Sequence, residues 1–257
     1  MTFPVELHMG KAAISLHIIF ETLAFTIGFR YYVYLRKQKP DSISDANRLW
    51  ILIGAIFGAW FFSRLVGAME YPSQFLHSPH LLLYFFASKT IVGGLLGGLL
   101  GVEIIKYFIG EKQSSGDLFT YPLILAMIIG RLGCFTSGIT EPTYGIETTG
   151  PWGMDLGDGH LRHPVALYEM VFLGALWVTL IWIERRFSLL NGDRFKLFMI
   201  AYLLFRFGVD FIKPGYRYFA GLGTIQIVCM LGVFYYLQSI VRFTKSLRYS
   251  EQQNVPV

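Results

Sequence analysis

Three arginines, Arg64, Arg131 and Arg206, lie inside runs that otherwise read as built for lipid. Arg131 follows YPLILAMIIG, Arg64 follows GAWFFS and Arg206 follows AYLLF. A charge at the centre of a bilayer costs about 2.5–3.5 kcal/mol on insertion scales, so such residues usually mark function. A guanidinium presents a planar fork of donors that matches phosphate oxygens. Three of them at one depth repel unless something negative lies among them. The same runs hold Lys89 and the acidic or titratable groups His17, Glu21, Glu103, Glu169 and Asp210. The chemistry on offer is therefore anion binding, with carboxylate and imidazole groups nearby to accept protons.

The elements that must position these groups follow from composition. Of 257 residues, 54% are hydrophobic and 15% charged, with mean hydropathy +0.49. Soluble domains carry about 25% charged residues. Stretches near 13–35, 49–69, 84–109, 118–138, 165–184, 195–212 and 221–241 are apolar, and a span needs roughly 20 helical residues. The fold class expected is an all-α integral membrane protein of seven transmembrane helices, one membrane domain over 1–257. Arg206 and Asp210 interrupt the sixth stretch. The first stretch has neither a short basic start nor a small-residue cleavage pattern, and reads as a retained span rather than a signal peptide. Residues 1–12 and 242–257 read as short polar tails. Cys134 and Cys229 fall in different spans, which indicates neither a disulfide framework nor a zinc site.

The net charge of +5 is a topology signal rather than the footprint of a nucleic-acid partner. Arg30, Arg36, Lys37, Lys39, Arg48, Lys106, Lys112, Arg185, Arg186, Arg194, Lys196, Arg242, Lys245 and Arg248 share one side of the expected spans, against Lys11, Arg162, Lys213 and Arg217 on the other. The positive-inside rule then places the N-terminus outside and the C-terminus in the cytoplasm. At 1.5 Å per residue, Arg131 and Arg64 lie about 20 Å, and Arg206 about 17 Å, from the cytoplasmic ends of their spans. His17 and Glu21 come within about 12 Å of the outer surface by the same rise. All five are level with the outer leaflet, where phospholipid phosphates are found. The inference is a pocket for a phospholipid headgroup in the lipid bilayer. Charges crowded into one leaflet do not line a path across, which argues against a channel or transporter.

Each group also has a plainer reading. Lys89, Glu169 and Asp210 can snorkel to the interface. Arg206 can pair with Asp210 at i,i+4, whereas Arg131 has no acidic residue within a turn. Gly93, Gly97 and Gly101, with Gly94 and Gly98, leave a helix face bare of side chains. Close helix packing is the default for such spacing, and a groove for lipid tails is the alternative. The outer loop 139–164 reads as solvated at Asp155, Asp158 and His160. RHPVALYE, opening the fifth span, gathers Arg162, His163, Tyr168 and Glu169 into one compact polar group, and a proline in the first turn suits a helix start.

GRLGCF, RHPVALYE and AYLLFRFGVDFIKP, in this order and spacing, resemble segments of the bacterial prolipoprotein diacylglyceryl transferases, which read approximately GRxGNF, RHPSQLYE and YGxFRxxVEFxRxP. Asp117, Arg64, Gln226 and the GGLLG at 93–97 extend the resemblance over nearly the whole chain. It implies a seven-helix body of the bacterial inner membrane, opening sideways to lipid. It implies transfer of the diacylglyceryl group of phosphatidylglycerol to the lipobox cysteine thiol of a preprolipoprotein signal peptide, with release of glycerol phosphate and no cofactor or metal. On that resemblance Arg131 and Arg206 hold the departing phosphate. Arg64, Tyr202, Gly93, Gly94, Gly145, Tyr168 and Glu169 are the substrate-contact positions. A paralogue with another acceptor, and a lipid-binding protein without turnover, are the alternatives.

The chain departs from the family at four places. Val92 stands where the family has a histidine proposed as base for the attacking thiol, and Cys134 replaces the asparagine of GRxGNF. Phe20 and Glu21 occupy the place of a family tyrosine, and Lys213 replaces the last arginine before proline. His163, with an unperturbed pKa near 6.5, is one replacement for the missing base. Glu21, desolvated among apolar residues, is another. Cys134 acting as a nucleophile beside arginine charge is a third, against the plain reading of a lone cysteine as core filler.

Overall fold

A computed structural model describes residues 3–9, 12–38 and 42–243. Lys11, Lys39, Lys245 and Arg248, which entered the charge count above, lie outside these residues, as does the end of the expected C-terminal tail. The described part of the expected N-terminal tail is instead folded. Glu6–Met9 (β1) and Ala12–Ser15 (β2) form an antiparallel hairpin with Glu6 opposite Ser15. The Val5 amide donates to the Thr136 carbonyl at 2.8 Å. The short alternating stretch VELHM, closed against AAIS, satisfies its own backbone and so needs no helix.

The long helices are α1 (Leu16–Gln38), α2 (Asp45–Ala68), α5 (Ile91–Ile109), α6 (Asp117–Ser137), α7 (Val165–Arg186) and α8 (Asp193–Val209). Two short helices, α3 (Pro72–Leu76) and α4 (Leu81–Ala87), precede α5, and α9 (Thr224–Tyr235) follows α8. Among the described residues, five helices are long and apolar enough to cross a membrane. The count is six if α9 and the helix Leu237–Phe243, bent 56° from it, form one span. The expected third span starts late, because the chain breaks after α4 and resumes at Ile91; the Thr90 amide donates to the Ser63 carbonyl at 3.1 Å and pins the break to α2. The sixth stretch gives only the 17 residues of α8, fewer than the roughly 20 a hydrocarbon core requires. Its last turn runs into a 3₁₀ turn at Asp210–Ile212, where Asp210 accepts from Arg217 at 2.7 Å.

Large apolar side chains cover the outside of the bundle: Phe25, Phe29, Phe57, Val171 and Val178 are all exposed. A soluble monomer does not present such a continuous apolar surface, and the arrangement is that of a multi-pass membrane protein. Inside, Ile124, Leu173, Phe198, Met199, Leu203 and Ile225 are sealed from solvent.

Two contacts fix the helices that carry the arginines. At the end of the bundle where α6 begins, the Asp117 carboxylate accepts from the Gly192 amide at 2.6 Å and the Phe195 amide at 3.0 Å. It thereby satisfies donors that the first turn of α8 cannot bond internally. The first residue of α6 thus fixes the start of α8, and with it the relation of Arg131 to Arg206. Between α2 and α5 the backbones touch. A Cβ on Gly101 would lie 2.0 Å from the Gly54 carbonyl oxygen, and one on Gly97 would lie 2.3 Å from the Phe62 Cβ. The glycine face of α5 is therefore a packing face rather than a groove for lipid tails. Gly93 belongs to it, with an added Cβ 2.4 Å from the Phe62 carbonyl oxygen. Gly94 is looser, with its nearest neighbour at 3.7 Å.

Gly101→Ala should force α2 and α5 apart and lower stability by about 1–3 kcal/mol, the usual cost of overpacking. Gly98→Ala, whose new methyl meets its nearest neighbours at 3.5 Å, should leave stability close to wild type. Thermal unfolding in detergent distinguishes the two, and equal midpoints would contradict the packing assignment.

Candidate functional site

The polar centre of the bundle is a carboxylate. Glu169, in the second turn of α7, is completely buried. Its Oε1 accepts from the Tyr202 hydroxyl at 2.7 Å and lies 2.8 Å from Arg131 Nε; its Oε2 accepts from Arg206 Nη1 at 3.1 Å. Tyr202 and Arg206 share a face of α8 because they are four residues apart. Arg131 and Arg206 are 6% and 4% exposed, so all four groups are out of water. Phe198 stacks against Tyr202 and Phe172 lies across from it.

Two of the plainer readings above do not hold, and Arg131 gains a partner that its own helix could not offer. Glu169 does not snorkel to the interface but binds inward. Arg206 does not pair with Asp210, whose carboxylate is taken by Arg217. Arg131, without an acidic residue within a turn of its own helix, has one on α7. The mutual repulsion of Arg131 and Arg206 is therefore relieved from within the protein. Two guanidiniums against one carboxylate still leave a formal charge of +1 in the cluster, and Arg206 Nε is buried without a hydrogen-bond partner. The centre remains attractive to an anion.

Arg64, half-buried on α2, is arranged differently. Its guanidinium lies over the Trp60 ring at 5.7 Å, and its Nε is buried with no hydrogen-bond partner. Among the described residues no carboxylate pairs with it. Of the three arginines it is the one whose charge is not already matched.

The polar group expected from RHPVALYE divides in three. Glu169 turns to the arginines. His163 Nδ1 and the Tyr168 hydroxyl bond each other at 3.0 Å, with Trp152 stacked on the imidazole. Arg162 is bound within the loop between α6 and α7, to Asp158 at 2.7 Å and Glu147 at 3.4 Å, above the Tyr144 ring. Asp155 caps the Gly157 and Gly159 amides at 2.8 and 3.0 Å, and those bonds hold its carboxyl below the usual range. Gly145 is a close-approach point, where an added Cβ would lie 2.6 Å from that of His163 and 2.9 Å from the Ile212 carbonyl oxygen. Its amide donates to the His163 carbonyl at 2.9 Å. Glu21 is not desolvated as expected: its side chain is 45% exposed and pairs with Lys89 at 3.3 Å. Val92 is wholly buried in the apolar core.

A second cluster adjoins Arg131, and its assembly was missed from the sequence. Arg131 Nη1 is 3.7 Å from Cys134 Sγ, and the His17 imidazole borders the same thiol. His17 Nε2 lies 3.4 Å from Glu141 Oε1 and 3.7 Å from Glu21 Oε2. Contact runs without a gap from Glu169 through Arg131 and Cys134 to His17 and Glu141. The sequence signals for it were the shared depth of His17, Glu21 and Arg131 and the departure from GRxGNF at Cys134, three residues after Arg131.

Comparison with known proteins agrees with the sequence resemblance. A family model described as prolipoprotein diacylglyceryl transferase matches residues 4–242. The phosphatidylglycerol–prolipoprotein diacylglyceryl transferase of Bordetella bronchiseptica is 30% identical over 230 residues, 82% of this chain and 82% of that protein. The one of Campylobacter hominis is 26% identical over 98% of this chain and 97% of its own length. That of Nitratidesulfovibrio vulgaris is 32% identical over 168 residues, where the match spans only 63% of the relative's length.

Glu169→Gln leaves two buried guanidiniums facing a neutral amide, and removing one partner of a buried ion pair costs about 3–5 kcal/mol. Its unfolding midpoint should fall well below that of Arg64→Gln, which forfeits a cation–π contact of about 0.5–1 kcal/mol. Comparable midpoints would remove Glu169 from the centre of the fold. A pH effect follows from Lys213, beyond the end of α8. Desolvation and the nearby Arg206 charge pull its ammonium down to about 8 from 10.5, with Glu70 opposing. The folded state thus disfavours the proton, so stability should rise as pH climbs from about 8 toward 10.5. The measurement is the unfolding midpoint against pH, and Lys213→Met should flatten that rise.

Proposed function

The chain belongs to the prolipoprotein diacylglyceryl transferase family, and from that premise we propose that it moves the diacylglyceryl group of phosphatidylglycerol onto the thiol of a lipobox cysteine in a preprolipoprotein, releasing glycerol phosphate. It works as a multi-pass protein of the bacterial inner membrane, with seven membrane segments, the N-terminus outside and the C-terminus in the cytoplasm. In this reading α8 and the bent pair after it complete the set begun by the five long helices.

The observation that carries the reading is the excess of positive charge held in a dry, apolar body. Arg131 and Arg206 share one carboxylate, and Arg64 has none among the described residues. Phosphatidylglycerol carries one negative charge at its phosphodiester. When the thiolate attacks the glycerol carbon and the C–O bond breaks, the electron pair stays on the phosphate, which becomes a more highly charged monoester. Fixed guanidiniums attract the developing charge more strongly than the bound substrate, and such a difference is what accelerates a step. Glu169 and Tyr202 keep the two buried guanidiniums aimed, so little reorganisation is needed. Arg64 supplies the unmatched cation. Gly145 and the His163–Tyr168 pair shape the outer approach.

Val92 favours a rival. No titratable group stands where the family has its histidine, as expected of a lipid binder without turnover. Purified protein in phosphatidylglycerol-containing micelles, given a lipobox peptide, separates the readings. Glycerol phosphate release together with a gain of peptide mass supports the transferase. Phosphatidylglycerol binding without either product supports the rival. If the transferase reading holds, Arg64→Ala should lower the transfer rate by about 100-fold or more, the usual cost of losing one preorganised donor, with the unfolding midpoint kept.

A further inference from the structure

The family's proposed base is absent here, yet a thiol attacks carbon well only as the thiolate. Some group on the outer side of the arginines must take the proton. Val92 cannot. His163 is occupied with the Tyr168 hydroxyl at 3.0 Å. Glu21 is half-exposed and bound by Lys89.

We infer that His17 accepts the proton of the attacking thiol, with Glu141 as the carboxylate that orients it; this rests on the transferase reading above. His17 is the second residue of α1, and its side chain is 12% exposed. Gly133 on α6 lets α1 come close, since an added Cβ there would lie 3.1 Å from the Phe20 Cβ and 3.2 Å from the His17 carbonyl oxygen. That approach brings the imidazole against the Cys134 thiol, which is 3.7 Å from Arg131 Nη1. The base is therefore separated by a single side chain from a guanidinium that receives the leaving phosphate.

The groups facing the ring suit a proton acceptor. Glu21 approaches from its own helix, with Lys89 behind it, and Glu141 from the segment after α6. Cys134 lies against it on α6, backed by Arg131. Both ring nitrogens are buried with no hydrogen-bond partner; Nε2 is the one beside the two carboxylates, which leaves Nδ1 for the proton. A carboxylate at one ring nitrogen stabilises the imidazolium formed by protonation at the other, as in acid–base triads generally. Cys134 sets a thiol of the protein itself beside the ring. It is not itself a covalent carrier, because a diacylglyceryl thioether on Cys134 would have no good leaving group and would end the cycle.

The step balances. The peptide S–H gives its proton to His17, and the sulfur electron pair forms the new C–S bond at the glycerol carbon. The C–O bond breaks with its electrons on glycerol phosphate, which takes up the proton from His17 as it leaves.

The test uses the full-length protein and two readouts. In the first, peptide transfer is followed from about pH 7 to about pH 9 for wild type and His17→Gln. The expected deficit is at least tenfold at pH 7, shrinking toward pH 9 as the peptide thiol, with an ordinary pKa near 8.5, ionises unaided. Glu141→Gln should show a smaller deficit of the same shape. In the second, iodoacetamide labelling at Cys134 is followed by peptide mass at pH 7, where His17→Gln should slow labelling about tenfold. Equal transfer rates, or a deficit constant across the pH range, would overturn the role of His17 while leaving the transferase reading intact. If wild type releases no glycerol phosphate, that reading falls, and labelling alone then decides whether His17 draws a proton from a neighbouring thiol. Unchanged labelling in His17→Gln would end the proposal.

Discussion

A carboxylate sealed from water would cost several kcal/mol on its own, and Glu169 is tolerated because Arg131, Arg206 and the Tyr202 hydroxyl all converge on its two oxygens. Those partners come from α6 and α8, while Glu169 comes from α7. Three helices must therefore hold one relative position for any of the charges to be buried at all. The opposite end of the same helices is fixed by Asp117, which caps α8 from the first residue of α6. Between these two carboxylates the packing is apolar, with Ile124, Leu173 and Met199 fully enclosed. The charges set the register of the helices, and the apolar contacts supply most of the cohesion.

The third arginine depends on a different contact. α2 and α5 approach until glycine faces backbone, Gly58 against Gly97 and Gly54 against Gly101. In lipid, where apolar side chains gain little by associating, such close contact is a main source of helix affinity. It carries Arg64 on a separate pair of helices, outside the Glu169 network. Among the described residues Arg64 is left with a ring and no carboxylate, while the other two share one carboxylate.

The departures from the family belong together in space only in part. Val92 is enclosed in the core, whereas Cys134 joins His17 and Glu141 across the α1–α6 contact. One departure thus lies in the apolar core and another, the Cys134 thiol, lies beside Arg131. Lys213 for arginine adds a group that can lose its proton, which a guanidinium cannot.

The sequence by itself determined the class of the protein and the family. Apolar length, sparse charge and the order of short motifs are local properties, and they survive any arrangement of the helices. Helices α1, α2, α6 and α7 begin and end within a few residues of four of the apolar stretches. The sequence did not reveal the break after α4, the short α8 or the N-terminal hairpin, because those depend on where the chain finds partners for its backbone. Nor could it pair the charges. Reading along one helix offered Asp210 to Arg206 and nothing to Arg131, while the true partner of both arrives from α7. Helical spacing tells which residues share a face of one helix. Only the tertiary structure decides which faces meet, and a buried charge is stable or costly according to that meeting alone.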